Sequence, residues 1–184
     1  MTSTPVIRRA YLREMPSVLD VAIGSYCSAY SYLYETNAQL SRKLSGFRQA
    51  IDADFRASFA STWIAEVDGQ IIGMMQCIFP SPIPVGAALS GVEIRRLYIL
   101  EPGHAKGVGF AMSNCAARWA ITKSSKIVWL DVMESAQKAR EAYERWGFKP
   151  VGEISFNGPT KPGLDRRIVM VKDLANQGTQ AKLE

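Results

Sequence analysis

Histidine and cysteine are scarce in this sequence of 184 residues. The only histidine is His104, and the three cysteines, Cys27, Cys77 and Cys115, form no CxxC pair. A structural zinc ion takes four such ligands, so we expect no metal. An odd number of separated cysteines in a chain that begins without a secretory leader indicates reduced thiols, and we predict a cytoplasmic protein.

Long hydrophobic runs, repeats and clusters of one charge are also missing. No apolar run reaches the roughly 20 residues that span a bilayer, so no membrane segment is expected. The basic residues are scattered, which argues against nucleic acid, while the net charge of +5 suits an anionic ligand. The length and the hydrophobic content of 47% predict one globular domain, residues 1–175, followed by a polar tail, 176–184.

Hydrophobic periodicity predicts the elements of the N-terminal part. Residues 6–10 are typical of a short strand. A helix is expected to open at Pro16, with Leu19, Ile23, Tyr26, Tyr30 and Leu33 on one face. A looser helical pattern follows over residues 40–59, with a break expected at Gly46.

The remainder alternates strands and helices. Asp68-Gly69 between two apolar runs predicts a hairpin. Further strands are expected at 92–100, 127–133, 151–156 and 167–171, and helices from Val108 and over 135–146, the latter capped by Gly147. This order predicts an α/β or α+β domain with one mixed sheet flanked by helices.

The glycine-rich stretch EPGHAKGVGF, residues 101–110, lies between a strand and a helix. It contains neither the GxxxxGK sequence of P-loop NTPases nor a complete GxGxxG. It is either a plain turn or a phosphate cradle, in which the free N–H groups of the helix N-terminus bind an anion.

Three segments resemble the GNAT superfamily of N-acetyltransferases. Residues 104–109 fit the pyrophosphate loop Gln/Arg-x-x-Gly-x-Gly/Ala, with His104 at the first position. REAYERWGFKPVGE, residues 140–153, is similar to the family's Tyr-Glu-x-x-Gly-Phe segment, and VEIRRLYIL, residues 92–100, is similar to its preceding strand. The likeness covers residues 62–171, and within the superfamily it is strongest to bacterial polyamine acetyltransferases of the PaiA type.

The resemblance implies the GNAT acyl-CoA N-acyltransferase fold, with a mainly antiparallel sheet. It also implies direct acetyl transfer from acetyl-CoA to a primary amine. Glu93 is then the candidate base, unless it is a strand-end residue exposed to solvent or paired with Arg95. Tyr143 is the candidate acid for the thiolate, or otherwise a packed aromatic.

The resemblance implies coenzyme contacts at three places. The contact residues are Leu97, Tyr98 and Ile99 on the strand, His104, Ala105, Lys106, Gly107, Val108 and Gly109 in the loop, and Ala136, where relatives often carry Asn. A backbone N–H near Tyr98 or Ile99 is expected to polarise the thioester carbonyl. The cysteines are interpreted as core residues.

The sequence says least about the acceptor site. Four tyrosines line either the acceptor site or the core: Tyr26, Tyr30, Tyr32 and Tyr34. Four acids either bind a cationic amine or form a solvated face: Glu35, Asp52, Asp54 and Asp68. The expected partners are a small-molecule amine and acetyl-CoA, and the sequence does not decide whether the protein forms a homodimer. The alternatives are a protein or peptide N-acetyltransferase and a non-catalytic acyl-CoA-binding module.

Overall fold

The computed structural model describes residues 4–101 and 107–175, and it places seven strands in one sheet. The strands are β1 (Val6–Arg9), β2 (Ala60–Val67), β3 (Gln70–Pro82), β4 (Ser90–Ile99), β5 (Ile127–Met133), β6 (Lys149–Ser155) and β7 (Arg166–Asp173). The α-helices in these ranges are α1 (Met15–Tyr30), α2 (Asn37–Arg56), α3 (Val108–Thr122) and α4 (Gln137–Arg145). The predicted polar tail lies outside the described residues.

The sheet is mixed and mainly antiparallel, as predicted. Its strand order is β1-β2-β3-β4-β5-β7-β6, and only the central pair, β4 with β5, is parallel. Two residue pairs join these strands, Val92 with Val128 and Glu93 with Trp129. Beyond them β4 stays paired with β3 and β5 with β7, so the centre of the sheet opens into a gap.

The helices cover the sheet on both faces and produce two hydrophobic clusters. The first cluster joins α3 to the sheet through residues such as Met112 and Met75, and α4 packs against it with Tyr143 and Trp146. The second joins α1 and α2 to the opposite face, where Ile51 is fully buried. The central gap is thus flanked by a helical layer on each side.

The predicted hairpin is confirmed. Asp68 and Gly69 join β2 to β3 with φ angles of 50° and 76°, the left-handed conformation that a tight two-residue turn requires. Gly147 after α4 also has a positive φ, 90°, as expected of a helix C-terminal cap.

The break expected at Gly46 is wrong, because α2 runs through this glycine. A capping box starts the helix, in which the Thr36 side chain accepts a hydrogen bond from the Gln39 backbone N–H at 3.2 Å. Phe47 and Ile51 then bury one face of the helix against the sheet. This packing outweighs the cost of one glycine, about 1 kcal/mol.

Two further boundaries differ from the sequence expectation. The buried face of α1 centres on Val18 and Ala22, whereas Leu19, Ile23 and Tyr30 are half-buried at its margin. Leu33 is buried beyond the end of α1, in the short 3₁₀ turn Ser31–Leu33. Strand β6 begins at Lys149 and includes Pro150, which was expected to precede it. The outermost position of β6 explains this, since a proline on an edge strand need not donate to a second neighbour.

No helix among the described residues is long and apolar enough to cross a membrane.

Candidate active site

The gap between β4 and β5 exposes strand backbone in the middle of the sheet. Leu100 donates its N–H to Ile72 on the β3 side, at 2.8 Å. Because successive residues of a strand point their N–H groups to opposite edges, those of Leu97 and Ile99 face the gap and that of Tyr98 faces β3. Two backbone donors are therefore presented to whatever enters the gap.

An irregularity in β4 concentrates functional side chains beside the gap. The register with β3 passes from Gln76–Arg96 to Cys77–Ile94, so Arg95 is an extra residue. Ile94 and Leu97 pack on the α3 side, while both arginines line the opposite side. Without the bulge, simple alternation would send one arginine into the α3 core.

A cavity of about 310 Å³ lies on the α1/α2 side of this gap. Residues of α1, α2, β4, β5 and β7 line it, together with Phe156 just after β6, and it is partly open to solvent. Its walls combine aromatic rings with charged side chains: Tyr26, Tyr30, Tyr98 and Phe156 among the rings, and Lys43, Glu93, Arg95, Arg96, Asp131 and Arg167 among the charges. This volume and mixture suit a small polar ligand.

Glu93 lies at this cavity, where both of its carboxylate oxygens have donors. Ser81 Oγ donates to Oε2 at 2.7 Å, and Arg95 donates to Oε2 at 2.8 Å and to Oε1 at 3.2 Å. The residue is 8% exposed, so of the alternatives weighed from sequence the pairing with Arg95 is present and solvent exposure is not. The contacts hold the carboxylate in place.

Asp131 is a second carboxylate in the cavity, and the sequence analysis missed it. Arg167 Nη1 donates to its Oδ1 at 2.8 Å, and Oδ2 has no hydrogen-bond donor among the residues that the structure describes. Burial raises the pKa of Asp131, and the Arg167 guanidinium opposes that rise. The available signal was a lone charge in the otherwise apolar strand Ile127–Met133.

Tyr143 approaches the same region from α4, on the other face of the sheet. Its ring packs edge-on against Trp146 and Phe148, with centroids 5.3 Å and 5.8 Å away. Burial raises the pKa of Tyr143, and Tyr30 and Asp131 raise it further. The hydroxyl is therefore protonated at neutral pH and lies within the electrostatic reach of the cavity.

The two glycines at the start of α3 have different roles. Gly107 takes a φ of 69° as the helix cap, with open space where a Cβ would be. A Cβ on Gly109 would lie 2.5 Å from the Trp146 ring, so this glycine is needed for packing. The first helical hydrogen bond runs from Ala111 N to Gly107 O, which leaves the preceding N–H groups without helical acceptors. His104, Ala105 and Lys106 lie outside the described residues.

The N-terminus of α3 and the gap together fit an acyl-CoA. The helix N-terminus carries partial positive charge and free N–H groups, as an anionic phosphate requires. Val108 is fully buried and fixes this end against the core. Ala136 caps α4 just after β5 and contacts both hydrophobic clusters, which places it beside the gap as well.

The tyrosines and acids considered for the acceptor site separate into two groups. Tyr26 and Tyr30 line the cavity, whereas Tyr34 is buried against Tyr26 and Tyr32 is exposed on the surface. Asp54 pairs with Arg95 at 3.4 Å and with Arg96, so it holds the two arginines that line the cavity.

The other three acids lie elsewhere. Glu35 is exposed, Asp52 pairs with Arg56 along α2, and Asp68 forms the hairpin turn.

Two of the three cysteines pack as interpreted, whereas Cys27 is half-buried and belongs to neither hydrophobic cluster. Cys77 is completely buried, and Cys115 is half-buried against the α3 cluster. Within residues 4–101 and 107–175, no group of three His, Cys, Asp or Glu side chains is arranged to hold a metal ion.

Comparison with known proteins identifies the family. The sequence model of the acetyltransferase (GNAT) family matches residues 27–148, about two thirds of the chain. The chain belongs to this family. It is accordingly an acetyl-CoA-dependent acetyltransferase, and the resemblance seen in the sequence is confirmed.

Solved structures of GNAT proteins share the fold over nearly their full lengths. The PaiA N-acetyltransferase of Thermoplasma acidophilum, in complex with coenzyme A, has a TM-score of 0.74 at 17% identity, covering 92% of this chain and 99% of that one. A ribosomal-protein-alanine N-acetyltransferase of Brucella melitensis gives 0.65 at 16%, covering 92% and 99%. A spermidine N-acetyltransferase chimera from Vibrio cholerae gives 0.66 at 14%, covering 95% and 98%.

Proposed function

We propose that this GNAT protein transfers the acetyl group of acetyl-CoA directly to the primary amine of a small molecule, within a domain of residues 1–175. The observation that carries the proposal is the cavity of about 310 Å³, which brings two carboxylates to the open end of the β4–β5 gap. A cavity of this volume suits a small amine, whereas a peptide would extend beyond it.

Acetyl-CoA supplies the acetyl group as a thioester that an unprotonated amine can attack. The loop residues His104–Gly109 hold the pyrophosphate in this proposal, with the N–H groups at the start of α3 as donors. The N–H groups of Leu97 and Ile99 face the gap and bind the thioester carbonyl oxygen as it becomes negative. Tyr98 contributes its ring to the cavity wall, and Ala136 lines the side next to β5.

One of the two carboxylates must accept the proton of the incoming ammonium. Glu93 was predicted from the sequence, but its oxygens already accept three hydrogen bonds. Asp131 has an oxygen without a donor among the described residues and a pKa raised by burial, both of which increase its basicity. We therefore favour Asp131 as the base and assign Glu93 the positioning of Arg95.

Tyr143 acts as the acid in this proposal. Its hydroxyl donates a proton to the departing sulfur of the coenzyme, while its ring is held by Trp146 and Phe148. Because burial raises the pKa of Tyr143, the proton is present at the pH where the amine is deprotonated.

A turnover screen tests the function. Purified protein with acetyl-CoA should release free CoA thiol in the presence of one or more small primary amines, and mass spectrometry should show the acetylated amine. Diamines and polyamines, aminoglycosides, amino acids and peptides form the panel. Acetylation of peptides alone would replace the small-molecule assignment, and absence of thiol release across the panel would refute the proposed activity.

A further inference from the structure

Two basic side chains, Lys43 on α2 and Arg167 on β7, meet at the Phe156 ring where it lines the cavity. Lys43 Nζ lies 4.7 Å from the centroid of the Phe156 ring, and Arg167 Cζ lies 5.6 Å from the same centroid. Arg96 lines the same cavity. The positive charges of Arg167 and Arg96, after the effect of burial, lower the pKa of Lys43. Like charges are thus held close together in a partly buried place.

Lys43 has no carboxylate partner among the residues that the structure describes. Its ammonium contacts an aromatic ring, and the side chain is half-buried in the cavity wall. A lysine on a helix surface would normally extend into water, since burial of an unpaired ammonium is costly. An anion bound beside Lys43 would therefore stabilise this position.

Arg167 has one more unsatisfied donor. Its Nη1 donates to Asp131, whereas its Nη2 has no acceptor within the described part of the chain, and the side chain is 25% exposed. A bound carboxylate or phosphate oxygen would supply an acceptor for Nη2.

The charges around the cavity do not balance. The basic residues are Lys43, Arg95, Arg96 and Arg167, and the acids that line the cavity or pair with them are Asp54, Glu93 and Asp131. Asp54 and Glu93 neutralise Arg95 and Arg96, and Asp131 neutralises Arg167. Lys43 remains as the excess positive charge.

We propose that the acceptor is a small amine that also carries an anionic group, a carboxylate or a phosphate, which binds between Lys43 and Arg167. Its amine then lies on the other side of the Arg167–Asp131 ion pair, beside Asp131 and the β4–β5 gap. A polyamine would place a second ammonium against Lys43 and is disfavoured. This assignment rests on the proposed function and specifies its substrate class.

Matched acceptors test the inference. The series comprises amino acids of increasing chain length, diamines of equal length, the carboxamides of the same amino acids, and phosphoethanolamine. We expect an anionic member to have a kcat/KM at least about tenfold above its diamine and carboxamide, the discrimination of one charge-assisted hydrogen bond. The comparison of phosphoethanolamine with the amino acid of similar length separates phosphate from carboxylate.

Substitution of Lys43 tests whether this residue binds the anionic group of the acceptor. Lys43→Met should raise KM for the anionic amine about tenfold or more, leave KM for the carboxamide and for acetyl-CoA within about twofold, and be rescued by Lys43→Arg. Arg42→Met is the control, because Arg42 is the exposed neighbour on α2 and its loss removes the same charge outside the cavity. An equal effect of both variants would assign the result to the net charge and overturn the inference.

Two outcomes separate this inference from the proposed function. Efficient acetylation of diamines with poor acetylation of every anionic amine would overturn the inference and leave the function intact. If no acceptor is acetylated, the function fails, and calorimetric titration of the CoA-saturated protein decides the subsite. Binding of an anionic amine that Lys43→Met abolishes supports the subsite, and absence of binding overturns it.

Discussion

Tyr143 combines a fixed ring with a hydroxyl that remains protonated. Removal of the hydroxyl in Tyr143→Phe should keep the contacts to Trp146 and Phe148 and delete only the proton donor. We expect kcat to fall by about 10²-fold or more, with the Kd for coenzyme A and the Tm almost unchanged. Steady-state kinetics and calorimetric titration measure these quantities.

Tyr32→Phe is the matched control, because Tyr32 is an exposed tyrosine whose hydroxyl contacts Ser135. Its kcat should equal that of the wild type. An unchanged kcat in Tyr143→Phe would remove this residue from the mechanism.

The two carboxylates of the cavity can be distinguished by substitution. In Asp131→Asn the amide oxygen can still accept from Arg167, so the pair is retained without its negative charge. We expect kcat to fall by about 10²-fold or more. In the wild type, protonation of Asp131 removes the base, so kcat should fall as the pH decreases through its raised pKa.

The pH profile of kcat for both variants provides the measurement. Glu93→Gln should retain the acidic limb of the profile, because Glu93 holds Arg95 and does not take the proton. If that limb disappears in Glu93→Gln and persists in Asp131→Asn, the roles are reversed and the base expected from the sequence is the correct one.

At the scale of elements, α3 is fixed against α4 by a glycine that allows close approach. Gly109→Ala would bring a methyl group 2.5 Å from the Trp146 ring and 3.1 Å from Ile99 Cδ1. We expect the free energy of unfolding to fall by about 1–3 kcal/mol, as in other overpacked sites. The shift of Trp146 should also lower kcat, because Tyr143 packs against that ring.

Gly46→Ala should have the opposite effect on the free energy of unfolding. Gly46 lies inside α2 with nothing within 4 Å of the position of a Cβ, so alanine should stabilise the protein by about 0.5–1 kcal/mol. Urea unfolding monitored by tryptophan fluorescence compares both variants with the wild type. If Gly109→Ala instead stabilised the protein, the Trp146 ring would have to move aside at little cost, and the prediction would be wrong.

The elements were predictable from the sequence to the extent that local signals determine them. Asp68-Gly69 predicted its hairpin because two left-handed residues are a local requirement, and Ile127–Met133 was predicted with its observed bounds. Gly46 was misinterpreted because tertiary packing of Phe47 and Ile51 overrides local propensity.

The site was less predictable, since it assembles residues far apart in the chain. Glu93 and Tyr143 were found through family motifs, and the fold places them on opposite faces of the sheet. Lys43 and Arg167 are 124 positions apart, and only the fold brings them to one aromatic ring. The bulge that places Arg95 and Arg96 on one face has no local signature either.

At the scale of the whole molecule, coenzyme binding should stabilise the fold by mass action. At a coenzyme A concentration of about 100 Kd the gain is about 2.7 kcal/mol, which corresponds to a rise in Tm of about 5–10 °C for a chain of this size. Differential scanning fluorimetry measures the shift, with adenosine as the control because it lacks the pyrophosphate. Equal shifts with both ligands would exclude the start of α3 as the phosphate site.

The open centre of the sheet has a kinetic consequence for its backbone amides. The N–H groups of Leu97 and Ile99 occupy the middle of a seven-stranded sheet but have no strand opposite them. In the free protein they should exchange with deuterium orders of magnitude faster than neighbouring amides bonded to β3, and bound coenzyme should slow them selectively. Slow exchange at an interior sheet position would thus report occupancy of the site, without turnover and without knowledge of the acceptor.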